Sequence, residues 1–560
     1  MVTQSNLVGV EGGGLDDDKR RRQTVTATVS IDPLHGDVGD SACAWTTVNI
    51  SEVFPGLPTP LTWSFHEAGF ELGLHGAFVD LGVLPESALR VADEPDQRVC
   101  AMFRGRPFMN VDRFRLFADL MPGTNGDVME KQLFGQVRPG IPAHPPNWRR
   151  YPIIAAKMPK AVLGMRRRLD QQASQLHSWW RARTAPAVLD AGDTACDTLV
   201  DAVGRFNIVF RPHCLAMLIG QGLFEQIVTL CADVGRSELV NDLIGGDLVE
   251  VMMLNELWEV SRGTRTLDAF VAEHGFHGPN EGELISRSWR EDRSSLDSLL
   301  QRYAGMDESS GPAAVLARRH ERRRDAEATL LAALGPGRRA VARALLGAAQ
   351  RVVPYREVGK AAYMHTVDVG RAATRVIGAR LVAQGSIAAP DDAFMLTVDE
   401  LVNAPAHGVR VDIAARRARW QDYARLEYPQ LCQGPPTPVA SRPGDDDPDG
   451  DDADGPVTGI PVAPGHARGR ARVVLDPTES ELEPGDVLIC RSTDPSWITL
   501  FVIASAVVID IGGPMSHGAI VARELGIPCV INTKVGTRRI VDGSEVEVDG
   551  TAGTVTVVAQ

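Results

Sequence analysis

Residues 512–528 read GGPMSHGAIVARELGIP, with Ser516 and His517 between a pair of glycines and an apolar run. The preceding stretch, Ala506–Asp510, is apolar enough for a buried strand. Gly512 and Gly513 permit a tight turn and close backbone approach. Ser516 is an N-cap residue by type, the apolar residues after it recur at helical spacing, and Gly526 with Pro528 ends the pattern. The stretch therefore predicts strand, glycine turn and a helix over Ser516–Leu525, with His517 in its first turn. That end of a helix offers N–H groups and positive potential to an anion. It disfavours a protonated ring and would stabilise a phosphoryl group carried on one. The plainer alternative is a histidine that caps or packs at a helix start.

Working outward, short strand-like runs recur at Ala471–Leu475, Val487–Cys490, Cys529–Asn532, Val546–Val548 and Thr554–Val558. A further helical stretch covers Pro495–Ala504. Strands alternating with helices predict a small α/β domain over 457–560. Before it, residues 433–456 (QGPPTPVASRPGDDDPDGDDADGP) form a linker by composition, acidic and rich in proline and glycine. As a coil its 24 residues span about 27 Å r.m.s.. It serves either as an inert spacer or as a tether that lets the last domain travel. Residues 44–432 read as a mostly helical domain, with helical periodicity over Ala195–Val260, Pro312–Leu334 and Arg338 to about Val382. Trp45–Val53 reads as strand or loop, and residues 1–43 as a flexible tail. The expected fold class is thus multi-domain α+β.

Composition narrows the function. The 560 residues are 44% hydrophobic and 23% charged, so disorder does not dominate. The formal charge of -14 includes seven aspartates between Asp445 and Asp454; without them the surface is unremarkable and lacks the basic face that nucleic acid requires. No uninterrupted apolar run reaches the ~18–20 residues of a membrane span, and the N-terminus lacks a signal peptide's apolar core. Eight scattered cysteines without a CxxC pair read as reduced thiols of a cytoplasmic protein.

Two other places carry charge in a pattern. Arg356 and Lys360 in PYREVGK lie four apart, hence on one face of a helix, where two cations need an anion between them. The alternative is a solvated face with Glu357 as partner. The segment His274–Glu283 (HGFHGPNEGE) gathers two histidines and two glutamates. Its glycines and proline make it a loop without a helix to fix ligands, so no metal site is expected there. Arg318–Arg324 reads as a solvated helix face. No GxxxxGKS/T phosphate loop occurs.

The 512–528 stretch resembles the phosphohistidine swivelling domain of the phosphoenolpyruvate-utilising enzymes, with Met515 where Thr or Leu is usual. Gly459-Ile460, Pro464-Gly465, Gly469–Val473, Pro484–Leu488, Thr493–Pro495, Asp542-Gly543 and Val548–Gly550 extend the resemblance over that domain. Glu52–Gly56, Thr59–Thr62, Phe103–Val111, Met121–Gly123, Trp289–Asp292 and Phe394–Leu401 resemble the substrate domain of rifampin phosphotransferase. The resemblance implies that His517 carries a phosphoryl group, with Gly513 and Ser516 beside it. It implies that Arg356 and Lys360 meet the incoming phosphohistidine, and that His277 and Glu281 belong to a substrate-site loop in which Phe276 and His277 replace a His-Arg pair.

The resulting expectation is a phosphotransferase component that passes phosphoryl from His517 to a hydroxyl of a small molecule. No cofactor is expected on this chain; ATP and magnesium are expected on a separate ATP-grasp partner that charges the histidine. Two alternatives are an ATP-driven dehydratase component that eliminates the phosphorylated alcohol, and a non-enzymatic phosphocarrier or regulatory binder.

Overall fold

The computed structural model describes residues 33–36, 42–134, 137–191, 194–243, 249–308, 311–439, 455–475, 482–493, 497–513 and 516–559. Most of the expected tail, the aspartate run of the linker, Asp494–Ser496 and Pro514-Met515 lie outside them.

The helical domain is organised around helix Tyr355–Ala383, which packs on helices Ala195–Asp233 and Tyr151–Arg183. Helix Pro60–Asp80 lies against Ala195–Asp233 from the other side. Their shared core holds Phe65, Phe78, Phe206, Leu199, Leu215, Val367 and Ile377, all essentially inaccessible. Helix Ala195–Asp233 is long and apolar enough, by composition, to cross a membrane. It falls within the stretch read as helical, and its uninterrupted apolar runs stay short because polar residues such as Arg211, His213, Gln221 and Glu225 break them. Here it packs along helices Tyr355–Ala383 and Pro60–Asp80.

A four-stranded sheet closes one end of this domain. Its strands are β1 (Ala44–Thr46), β2 (Cys100–Phe103), β3 (Arg106–Asn110) and β4 (Leu431–Gln433), in the order β2-β3-β1-β4. Gln433 pairs with Ala44, and Val439 bridges back to Glu427, so the first residues past the helices stay on this domain. Leu34, from the expected tail, is buried, and Leu34 and His35 accept hydrogen bonds from the β2–β3 turn. An apolar side chain holds this short piece in place.

Several elements differ from expectation; of the helical stretch Pro495–Ala504, Ile498–Phe501 is helix among the described residues. The periodicity from Arg338 to Val382 is two helices, Pro336–Val352 and Tyr355–Ala383. They separate at Pro354, whose ring removes a helical N–H. Within Trp45–Val53, only the first residues are strand, and Ile50–Val53 is a helical turn.

The C-terminal domain is α/β, as expected. Strands β5 (Val457–Thr458), β6 (Ile460–Ala463), β7 (His466–Val474), β8 (Val487–Cys490), β9 (Ala506–Ile509), β10 (Cys529–Ile531), β11 (Glu545–Asp549) and β12 (Thr554–Ala559) form one sheet. Their order is β5-β12-β11-β7-β8-β9-β10-β6. The β7-β8-β9-β10 stretch is parallel and the flanks antiparallel. β8 and β9 are buried along their whole length, as central parallel strands must be. β7 starts earlier than its apolar residues suggest because Arg468, Arg470 and Arg472 find carboxylates: Glu545, Asp486 with Glu483, and Asp486 with Asp542.

The two domains share a hydrophobic cluster that joins Leu254, Trp258, Phe270 and Tyr303 to Trp497, Ile498, Phe501 and Leu525. Arg523 reinforces the contact. Its Nε donates to the Val462 carbonyl at 2.8 Å and to Asn241 Oδ1 at 3.1 Å, and its guanidinium lies 5.9 Å from the Phe224 ring centre. Burial lowers its pKa to about 10.

Candidate functional site

Helix His517–Leu525 starts at the carboxyl end of β9, where ligands bind in open parallel sheets. Ser516 is its N-cap, with extended backbone and a side-chain oxygen that accepts from the Ala519 N–H at 3.2 Å. A cap of this kind contributes about 1 kcal/mol. Gly526 closes the helix in the left-handed conformation, φ 68°. His517 is the first helical residue and only 5% exposed. The turn before it is braced by Asp510, which accepts from Thr533 Oγ1 at 2.6 Å and from the Thr537 N–H at 3.1 Å. Gly518 is dictated by space: a Cβ there would stand 2.6 Å from both Ile509 Cδ1 and Thr493 Oγ1. The helix start is thus pressed onto the strand ends, with His517 at its positive end.

A second cluster forms on the helical domain. Arg356 and Lys360 do lie on one helix face, but not a solvated one: Lys360 is 11% exposed. Glu357 stands between them, 3.5 Å from Arg356 Nε and 3.9 Å from Lys360 Nζ. Lys360 Nζ is also 3.9 Å from Glu281 Oε2. These three contacts are ionic but longer than hydrogen bonds. Glu281 Oε1 in turn lies 2.5 Å from His277 Nδ1. His277, Glu281, Arg356 and Lys360, distant in sequence, therefore meet. Gly513, Ser516 and His517 form the other group, on the C-terminal domain.

The loop that carries His277 is fixed from below by helix Tyr355–Ala383. Arg371 donates to the carbonyls of Glu281, Glu283 and Leu284, and Arg375 to those of Ile285 and Ser286. The other charged residues of the loop serve elsewhere. Glu283 accepts from the hydroxyls of Thr59 and Thr62 at the start of helix Pro60–Asp80, and His274 bonds Glu256 at 2.9 Å. Among the described residues, no group of three or more His, Cys, Asp or Glu is placed to hold a metal ion.

His213 and Tyr363 also border the cluster and carry no signal in the sequence. His213 is a single imidazole in a long apolar helix, packed on Gly359, where a Cβ would come within 2.8 Å of its Nδ1. Burial drives its pKa down to about 3, helped by Arg356 and Lys360 and opposed by a backbone hydrogen bond at Arg356. Burial likewise pushes the Tyr363 hydroxyl well above its usual value.

Asp368 anchors this region. It accepts from Trp180 Nε1 at 2.7 Å, Arg290 Nε at 3.0 Å and Arg371 Nη1 at 2.9 Å. Burial alone would raise its pKa, but Arg290 and Arg371 win and hold it down to about 2. A carboxyl depressed below its unfolded value of about 3.9 adds stability above that value, and loses it as pH falls through the folded one. The melting temperature of wild type should therefore exceed that of Asp368→Asn at neutral pH. The difference should shrink on titration from about pH 4 to about pH 2. A constant difference would mean that the charge contributes nothing.

The molecule is thus of a definite class: a small α/β domain presenting a histidine at a helix start, docked on a helical domain with a cluster of two cations and two carboxylates. Known families match both parts. Residues 482–553 match the mobile domain of PEP-utilising enzymes, and residues 261–357 match the fourth domain of rifampicin phosphotransferase. The second match takes in His277, Glu281 and Arg356. A rifampicin phosphotransferase of Streptomyces sviceus is 30% identical over 317 residues, covering 55% of this chain and 36% of the relative. That of Bacillus subtilis is 27% identical over 372 residues, covering 64% and 41%. An uncharacterised protein of Mycobacterium tuberculosis is 38% identical over 215 residues, covering 38% and 24%. The chain thus spans about a quarter to two fifths of the length of these relatives. The chain is thus similar to rifampicin phosphotransferases over part of their length, and its C-terminal region matches the mobile domain of PEP-utilising enzymes.

Proposed function

We propose that this chain is a phosphotransferase in which His517 accepts a phosphoryl group and delivers it to a hydroxyl of a small molecule held on the helical domain. The observation that carries this reading is the position of His517 at the capped, positive start of a helix on the carboxyl edge of the parallel strands. Arg356 and Lys360 supply charge for the transferring group, in keeping with phosphoryl transfer, where catalysis is mostly positioning and charge compensation. In this proposal a separate ATP-grasp protein, which binds ATP and magnesium, charges His517. All eight cysteines carry free thiols, in keeping with a cytoplasmic location.

The test is incubation of the purified chain with labelled ATP and magnesium, with and without an ATP-grasp protein. Acid-labile, base-stable label should appear only when the second protein is present. Label on the chain alone would overturn the separate donor.

A further inference from the structure

We propose that His277, oriented by Glu281, is the base that takes the proton of the acceptor hydroxyl; this rests on the phosphotransferase reading above. A transfer to an alcohol must place that proton somewhere, and a general base typically contributes about 10²–10⁴ in rate.

The geometry selects His277. A carboxylate only accepts, so the bond to Glu281 Oε1 at 2.5 Å puts the ring proton on Nδ1 and leaves the lone pair on Nε2. No hydrogen bond reaches Nε2 among the described residues, and the side chain keeps 8% of its surface open. Phe276 and Trp289 hold the ring, their centres 4.1 Å and 5.7 Å away. The same carboxylate stands 3.9 Å from Lys360 Nζ, which ties the imidazole to the cations that receive the phosphoryl.

The neighbouring groups are committed elsewhere. Glu357 lies between two cations, 3.5 Å from Arg356 Nε and 3.9 Å from Lys360 Nζ. His213 bonds the Arg356 backbone and rests on Gly359. His365 is buried against Phe276 and meets His177 at 3.3 Å. His274 bonds Glu256, and Asp368 holds two arginines. In the transfer, the hydroxyl oxygen forms a bond to phosphorus while the bond from phosphorus to the His517 ring nitrogen breaks. That electron pair returns to the ring, and the hydroxyl proton passes to His277 Nε2 and then to water.

The test bypasses the donor. Phosphoramidate phosphorylates histidine directly; after its removal, ³¹P NMR follows the loss of phospho-His517 to water and to glycerol as the hydroxyl probe. The resonance is identified as the one that His517→Ala removes. In His277→Gln, loading and melting temperature should stay as in wild type, while glycerol phosphate formation and hydrolysis fall about 10²-fold. The wild-type slowing in D₂O should vanish with them. Glu281→Gln, which keeps shape but removes charge, should lose part of the rate and part of the isotope effect. Equal rates in His277→Gln and wild type would overturn the assignment. Absence of any resonance that His517→Ala removes would overturn the carrier itself, and this base with it.

Discussion

His517→Ala should reduce acid-labile phosphate on the chain to background, whether the donor is an ATP-grasp protein or phosphoramidate at its phospho-His517 resonance. Alanine offers no ring nitrogen, so no covalent intermediate forms, and the expected loss is total rather than graded. Folding should survive the change. The His517 side chain sits at a helix start whose cap is the Ser516 side chain, and that hydrogen bond to Ala519 does not involve the imidazole. Helix His517–Leu525 keeps its buried face, with Ala519, Val521, Ala522 and Leu525 against the sheet and the second domain. Circular dichroism and melting temperature should therefore match wild type while label disappears. Label that persists in the variant would assign the phosphoryl to another residue and remove the carrier role from His517.

The parts of this molecule legible in the sequence are those whose instructions are local. The strand, glycine turn, serine cap and helical run around His517 lie within twenty-five residues, and each signal acts on its near neighbours. Helix Pro60–Asp80 was not legible. Its buried side chains include Leu61, Trp63, Phe65, Phe70 and Phe78 on different faces, with His66, Glu71 and His75 also buried, so no polar stripe marks the period. Glu71 is held inside by N–H donors of Val99 and Cys100, and desolvation still raises its carboxyl to about 7. Strand β6 was missed because its pairing with β10 is set by the fold and not by its four residues. The His277–Glu281–Lys360 cluster was half legible: each residue stood out by type, but their meeting depends on Arg371 and Arg375 gripping the loop backbone. Long-range hydrogen bonds of that kind leave no periodic trace.

Arg356→Ala and Lys360→Ala should each slow transfer from phospho-His517 to a hydroxyl by about 10²–10³, the usual cost of removing one preorganised charge from a transferring group. The two cations now stand among Glu281 and Glu357, at separations of 3.5–3.9 Å. A dianionic phosphoryl brought to this place would meet both carboxylates as well, and only the cations make the approach favourable. Removing one leaves two buried carboxylates facing a single cation, so the barrier rises through lost attraction and added repulsion together. His517 lies on the other domain, so its charging should not change, which separates this effect from loss of the carrier. Lys360→Arg keeps charge and should restore part of the rate, whereas Lys360→Met keeps length alone and should not. The two half-reactions, read by ³¹P NMR on the same sample, decide the matter. Unchanged transfer in both alanine variants would make the cluster a structural ion-pair network that only holds helix Tyr355–Ala383 to the His277 loop.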